Sequence, residues 1–80
     1  MRDELNEELT LMLLYLNSWQ EKLGDFQVTR SWKGYDYATL NLLSEKGLID
    51  GSGRKKSVYF YPQGVEEAKR LFEKYGLKID

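Results

Sequence analysis

Residues 40–75 read LNLLSEKGLIDGSGRKKSVYFYPQGVEEAKRLFEKY, and this stretch decides the fold. Asp36 is placed to cap a helix that begins after it, its carboxylate accepting from backbone N–H groups two or three residues on. Tyr37, Leu40 and Leu43 fall on one side of that helix, and Gly47 suits its left-handed C-terminal cap. Leu48 and Ile49 then open a strand, Gly51, Ser52 and Gly53 supply turn chemistry, and Ser57 to Tyr61 alternate as a returning strand. Val58 and Phe60 are the expected core pair, since Tyr59 and Tyr61 can leave their hydroxyls in water. Pro62 fits the first turn of a last helix. Its inward stripe is expected to be Val65, Ala68, Phe72 and Tyr75. Glu66 with Arg70 and Lys69 with Glu73 are spaced for surface ion pairs, and Gly76 ends the helix.

Upstream, Leu5, Leu9, Met12, Leu16, Trp19 and Leu23 follow at steps of four, three, four, three and four. That spacing predicts a helix over residues 5–22 with this seam packed inward. Gly24 is its expected stop. Asp3 and the nearby glutamates suit the positive end of the helix dipole. Leu11 and Leu14 point nearly opposite to the seam, so the helix is apolar almost all round and must bury two faces. A homodimer is therefore expected, with Leu11 and Leu14 in the interface and Leu71 of the last helix beside them. The alternative is that Leu77 and Ile79 fold back over Leu11 and Leu14.

Residues 24–35 carry little regular pattern. Phe26 and Val28 alternate with Gln27 and Thr29, which permits a short strand, and Ser31-Trp32-Lys33-Gly34-Tyr35 gathers aromatics around a glycine. An irregular extended or single-turn segment is expected, with Trp32 and Tyr35 plugging the space beside the second helix.

Eighty residues make a single domain, residues 1–80, with a thin core: about 60% of the unfolded chain's surface is buried at this size. With no histidine and no cysteine, disulfides and Cys/His zinc sites are excluded, and no metal or cofactor is expected. The same absence removes the two commonest catalytic side chains, and no nucleophile–base pair can be assembled, so no enzyme is expected. Gly51-Ser-Gly53-Arg-Lys lacks the spacing of a phosphate loop. The acidic N-terminus is unlike a secretory signal, and the apolar run of residues 11–16 is too short to span a bilayer. A cytoplasmic protein without membrane contact is expected. The net charge of −1 hides a gradient, with Arg2 and Lys22 facing six acids in residues 1–25 and six cations facing three acids in residues 26–60.

That basic middle offers a nucleic-acid surface. Arg54, Lys55 and Lys56 could straddle duplex phosphates, with Arg30, Lys33 and Lys46 adding contacts. Asn41 is the one plausible base reader on the second helix, whose outward positions are taken as Ala38, Thr39, Asn41, Leu42, Glu45 and Lys46. Asp36 and Glu45 repel phosphate there, however, and an outward Leu42 fits a protein interface better. A protein partner gripping Trp32, Tyr35 and Leu42 is the alternative.

LxxLxxxGLI followed by an alternating strand and Gly64 resembles the second half of a winged helix-turn-helix domain of the MarR or PadR kind. The resemblance implies a recognition helix feeding a two-stranded wing, and a DNA-binding regulator. The expected architecture is accordingly α+β: helix, irregular segment, helix, β-hairpin wing, helix. Where those domains place a threonine before the last helix, this chain has Tyr61 and Pro62. Across the whole chain, ELTLMLLYLNSW, SWKGYDYATLNLLSEKGLI and KSVYFYPQGVEEAKRLFEKYG also resemble a family of small bacterial proteins catalogued as a domain of unknown function. SWKGYD is the most distinctive piece, and the likeness brings no activity with it.

Overall fold

Three short local signals set the element boundaries in the computed structural model, which describes residues 2–32, 34–50 and 57–78. Helix α1 (Arg2–Leu16) is followed by strands β1 (Trp19–Leu23) and β2 (Phe26–Trp32), and then by helix α2 (Tyr37–Glu45). Strands β3 (Ile49–Asp50) and β4 (Ser57–Phe60) and helix α3 (Pro62–Lys74) complete the chain. The strands form one antiparallel sheet in the order β1-β2-β4-β3. The α+β class expected from the sequence is what the structure shows.

The first signal lies at residues 17 and 18. The Asn17 side-chain amide donates to the Leu13 carbonyl at 3.0 Å and the Ser18 hydroxyl to that of Tyr15 at 2.6 Å. These side chains take over carbonyls at the end of α1 and stop it. The helix expected over residues 5–22 is therefore six residues shorter at its C-terminal end, and Trp19 and Leu23 belong to a strand. Gly24, read as a helix stop, is the first residue of a two-residue hairpin turn with φ of 62°. Asp25 has no positive φ, so the turn follows the pattern with glycine first, whose twist suits antiparallel strands. Within residues 24–35 the extended alternative and the short strand at residues 26–29 are what the structure shows, lengthened to the seven residues of β2 and with no helical turn inside it.

The second signal is Asp36, which caps α2 as expected: its Oδ2 accepts from the Thr39 N–H at 3.1 Å and the Thr39 hydroxyl at 3.0 Å. Gly47 closes α2 with φ of 74°. The third is Pro62-Gln63-Gly64 at the start of α3. The Tyr61 N–H donates to the Leu48 carbonyl at 3.0 Å, which brings α3 so close that a Cβ on Gly64 would lie 1.9 Å from that oxygen.

All three helices pack on the same side of the sheet. Leu11 and Leu14 of α1, Leu40 and Leu43 of α2, and Leu71 and Phe72 of α3 meet Ile49, Val58 and Phe60 there. Tyr15 meets Phe60 edge-on at 5.9 Å between ring centres, a favoured aromatic geometry. Several inward assignments are thereby corrected. Leu11 and Leu14 are 1% and 0% exposed and Leu71 is 1% exposed, so these three are core and do not face a partner. The supposed inward residues Leu5, Leu9 and Leu16 are on the solvent side. The phase of α1 is set by its polar anchors: Asn6 donates to Thr39, Glu7 pairs with Lys46, and Glu8 holds Lys74 and Tyr75. Tyr37 and Tyr75 are likewise exposed where an inward position was expected, and Thr39 is buried where an outward one was. Arg70 pairs with Glu67, one turn back, in place of the expected Glu66. Leu77 is exposed and covers neither Leu11 nor Leu14, while Ile79 lies outside the described residues.

Candidate functional site: the open face of the sheet

Side chains directly opposed across antiparallel strands share a face. Trp19 is opposite Arg30, Arg30 opposite Tyr59, and Tyr59 opposite Asp50, so one row crosses all four strands. Two residues on, Trp32 stands opposite Ser57, and on the other side Glu21 stands opposite Val28. The intervening residues Thr29, Ser31, Val58 and Phe60 point to the helices and are buried. The row of Trp19, Arg30 and Tyr59 thus belongs to the face that the helical layer leaves uncovered.

This face is aromatic, and its strands are tied together by side chains. Trp19 and Trp32 lie diagonally across β1 and β2 with ring centres 5.0 Å apart and planes tilted by 43°. Trp32 is 62% exposed and Phe26, at the head of β2, 73%. Arg30 fixes the middle. Its Nη1 donates to Glu21 Oε2 at 2.7 Å, its Nη2 to Ser57 Oγ at 2.5 Å, and its guanidinium lies 4.6 Å from the Tyr59 ring centre. One arginine therefore ties β1, β2 and β4 together through a charge-assisted hydrogen bond and a cation–π contact. The face is a platform of rings around a charge paired with Glu21.

The residues expected to bind nucleic acid are distributed differently. Arg30 is engaged as described. Lys46 is 2.5 Å from the largely buried Glu7 carboxylate, whose hydrogen bond holds the ammonium above its ordinary pKa. Asn41 is exposed on α2, away from the helix's buried side. Lys33, Arg54, Lys55 and Lys56 lie outside the described residues. Of the proposed protein-contact residues, Trp32 is on the open sheet face, Leu42 on the solvent side of α2, and Tyr35 packs against the core, so the three do not form one patch. Trp32 and Tyr35 do not jointly plug a gap, because Trp32 points away from the helices. Trp19, Phe26, Val28 and Tyr59 are the members of the open face that sequence reading left out. The signal was present in the alternation on either side of Gly24-Asp25.

A concavity of about 200 Å³ lies among the helices, with Glu4, Glu7, Glu8 and Glu67 around Lys46 and Leu11 and Leu71 lining it. Among the described residues no three carboxylates are placed to hold a metal ion. No helix among them is long and apolar enough to cross a membrane.

The model of one family, described as a domain of unknown function (DUF6429), matches residues 2–78. The chain belongs to that family. The chain is similar to "Uncharacterized protein y4hR" of Sinorhizobium fredii (strain NBRC 101917 / NGR234). It is 32% identical over 69 residues, which cover 85% of this chain and 84% of its own. No solved structure matches the DUF6429 chain. A family described as a domain of unknown function was expected across the whole chain, and one covers residues 2–78; it carries no activity to transfer.

Proposed function

We propose that this DUF6429 protein is a non-catalytic binding module that docks a polypeptide on the open face of its sheet. The observation that carries this reading is the platform of Trp19, Trp32, Phe26, Val28 and Tyr59, aromatic area of the kind that dominates protein interfaces. Charge supports it too. Arg30, Lys46, Arg70 and Lys74 each sit within 4 Å of a carboxylate, which leaves them poor partners for phosphate.

Nucleic acid is the second reading, favoured by one arrangement. Trp19 and Trp32 offer a surface on which bases can stack, and Arg54, Lys55 and Lys56 directly precede Ser57, the residue opposite Trp32. The order α2, β3, β4, α3 supports the winged-helix likeness for the second half of the chain. A hairpin in the place of that fold's middle helix, with Asp36 and Glu45 flanking Asn41, counts against groove docking by α2.

Both tryptophans of the chain report on this face, so fluorescence separates the readings directly. Single-stranded and duplex oligonucleotides should leave the emission unchanged at 50 mM salt if the partner is a polypeptide. Quenching that weakens steeply by 200 mM salt, and flattens when Arg54, Lys55 and Lys56 become alanine, would transfer the assignment to nucleic acid. In the polypeptide case, a photo-reactive phenylalanine derivative at position 32 should cross-link a discrete protein in cells, and the same group at position 66 on α3 should not.

A further inference from the structure

The outer side of α1 carries a second unpartnered surface, in the helical layer and separate from the sheet face. Leu5, Leu9, Leu13 and Leu16 are 44–57% exposed and run down one side of the helix. At 1.5 Å per residue the stripe is about 16 Å long. We infer that this stripe is a homodimer contact in which α1 of a second copy lies antiparallel to the first. The spacing is close to palindromic. A two-fold axis passing beside Thr10 and Leu11 sets Leu5 against the partner's Leu16 and Leu9 against the partner's Leu13, as an isologous interface requires. A surface that complements its own reversal is best matched by a second copy.

Charge selects the antiparallel direction. The first turn of α1 carries Asp3 and Glu4, and its last turn has no cation. Parallel pairing would hold four carboxylates side by side at one end. Antiparallel pairing separates the acidic ends by the length of the stripe and opposes the two helix dipoles. The area sets the strength. Four half-exposed leucines offer roughly 300 Å² per copy, well short of the roughly 800 Å² per partner of a standard interface, so the dimer is weak and reversible.

Sedimentation of the full chain from about 5 to 500 µM should show monomer giving way to dimer. The double variant Leu9→Lys with Leu13→Lys should keep its circular dichroism and remain monomeric throughout. The chain has no cysteine, so Leu5→Cys and Leu16→Cys can be made separately and oxidised. An antiparallel pair predicts an intermolecular disulfide when the two variants are mixed and little in either alone. Wild type that stays monomeric at 500 µM overturns the inference, as does a dimer that survives the lysine pair. A Leu5→Cys variant that cross-links to itself overturns the antiparallel arrangement. The cysteine mixture decides the matter even if the lysine pair fails to fold. None of these readouts involves Trp19 or Trp32, so the sheet-face proposal stands or falls separately.

Discussion

Two sets of leucines share helix α1 and meet opposite fates. Leu11 and Leu14 are sealed in the core, whereas Leu5, Leu9, Leu13 and Leu16 keep about half their surface in water. The side chains are the same, so hydrophobicity does not choose between them. The choice falls to the polar residues between the two stripes. Asn6 donates to Thr39 at 3.1 Å, Lys46 reaches Glu7, and Lys74 reaches Glu8 at 3.2 Å. These contacts bind α1 to α2 on one flank and to α3 on the other, and the leucines facing the gap between them become core. Periodicity measures the angle between apolar residues; the phase is decided by partners distant in sequence.

Charging each set of leucines in turn separates their two fates most widely. Leu11→Lys with Leu14→Lys places two ammonium groups in a closed apolar site and should abolish the cooperative melt followed by circular dichroism. Leu9→Lys with Leu13→Lys should leave that melt nearly intact. With milder substitutions, Leu14→Ala is expected to cost about 2–5 kcal/mol by denaturant titration, and Leu9→Ala within about 0.5 kcal/mol. Similar losses from both sets would mean that α1 is buried on both sides in solution.

Gly64 tests the opposite flank of the helical layer. Alanine is normally better than glycine inside a helix by about 1 kcal/mol. Here the added methyl meets the Leu48 carbonyl oxygen at 1.9 Å, a backbone atom that cannot rotate away. Gly64→Ala should therefore destabilise by about 1–3 kcal/mol, in the range of overpacked cores. A neutral or stabilising result would show that α3 does not dock against Leu48 so closely.

The contrast also explains what could be read before the structure. Asp36, Gly47 and Pro62 act within three or four residues, so the boundaries of α2 and the start of α3 were legible from local chemistry. Trp19 and Leu23 are four apart, and that interval fits one helical turn and two strand repeats equally well. They extended the leucine seam by coincidence, and the hairpin at Gly24-Asp25 was lost with them. Losing β1 hid the open face, because Trp19 and Trp32 become neighbours only once β1 and β2 pair. Trp32 was expected to plug a gap beside Tyr35, or to meet a partner, and only the pairing of β1 with β2 sets it beside Trp19. Val28 joins it once residues 26–32 are one strand, whereas Tyr59 could not be placed there without the register of β2 on β4.

A smaller effect is expected where the anchor chain begins. Asp36 caps α2 through Thr39, and the same Thr39 hydroxyl accepts from Asn6. Asp36→Ala should cost about 1 kcal/mol, the usual value of a lost N-cap. Thr39→Val should also release Asn6, and a double-mutant cycle between Asn6→Ala and Thr39→Val should give a non-zero coupling. Strict additivity would mean that this bond does not help to set the phase of α1.

The finest test of the anchors is pH. The Tyr75 hydroxyl, and after it Lys74, donate to the Glu8 carboxylate and hold it below its ordinary value of 4.5. A carboxyl depressed in the folded state binds fewer protons there than in the unfolded chain, so its contribution is complete above that ordinary value. It is lost as the pH falls through the folded value. Lys46 behaves in the opposite sense. The hydrogen bond it donates to the Glu7 carboxylate raises its ammonium, so that contribution is complete below its ordinary value of 10.5 and disappears as the pH rises through the raised one. Thermal melts across pH should therefore lose a little stability at each extreme. Glu8→Gln should flatten the acid side only, with Tyr75→Phe removing most of the same slope. Lys74 keeps about half of its side-chain surface in water and Glu8 a quarter, so solvent and salt keep the change small. An acid slope unaltered by Glu8→Gln would place the tie between α1 and α3 in the Leu11–Leu71 packing alone, and leave the α2 flank to set the phase.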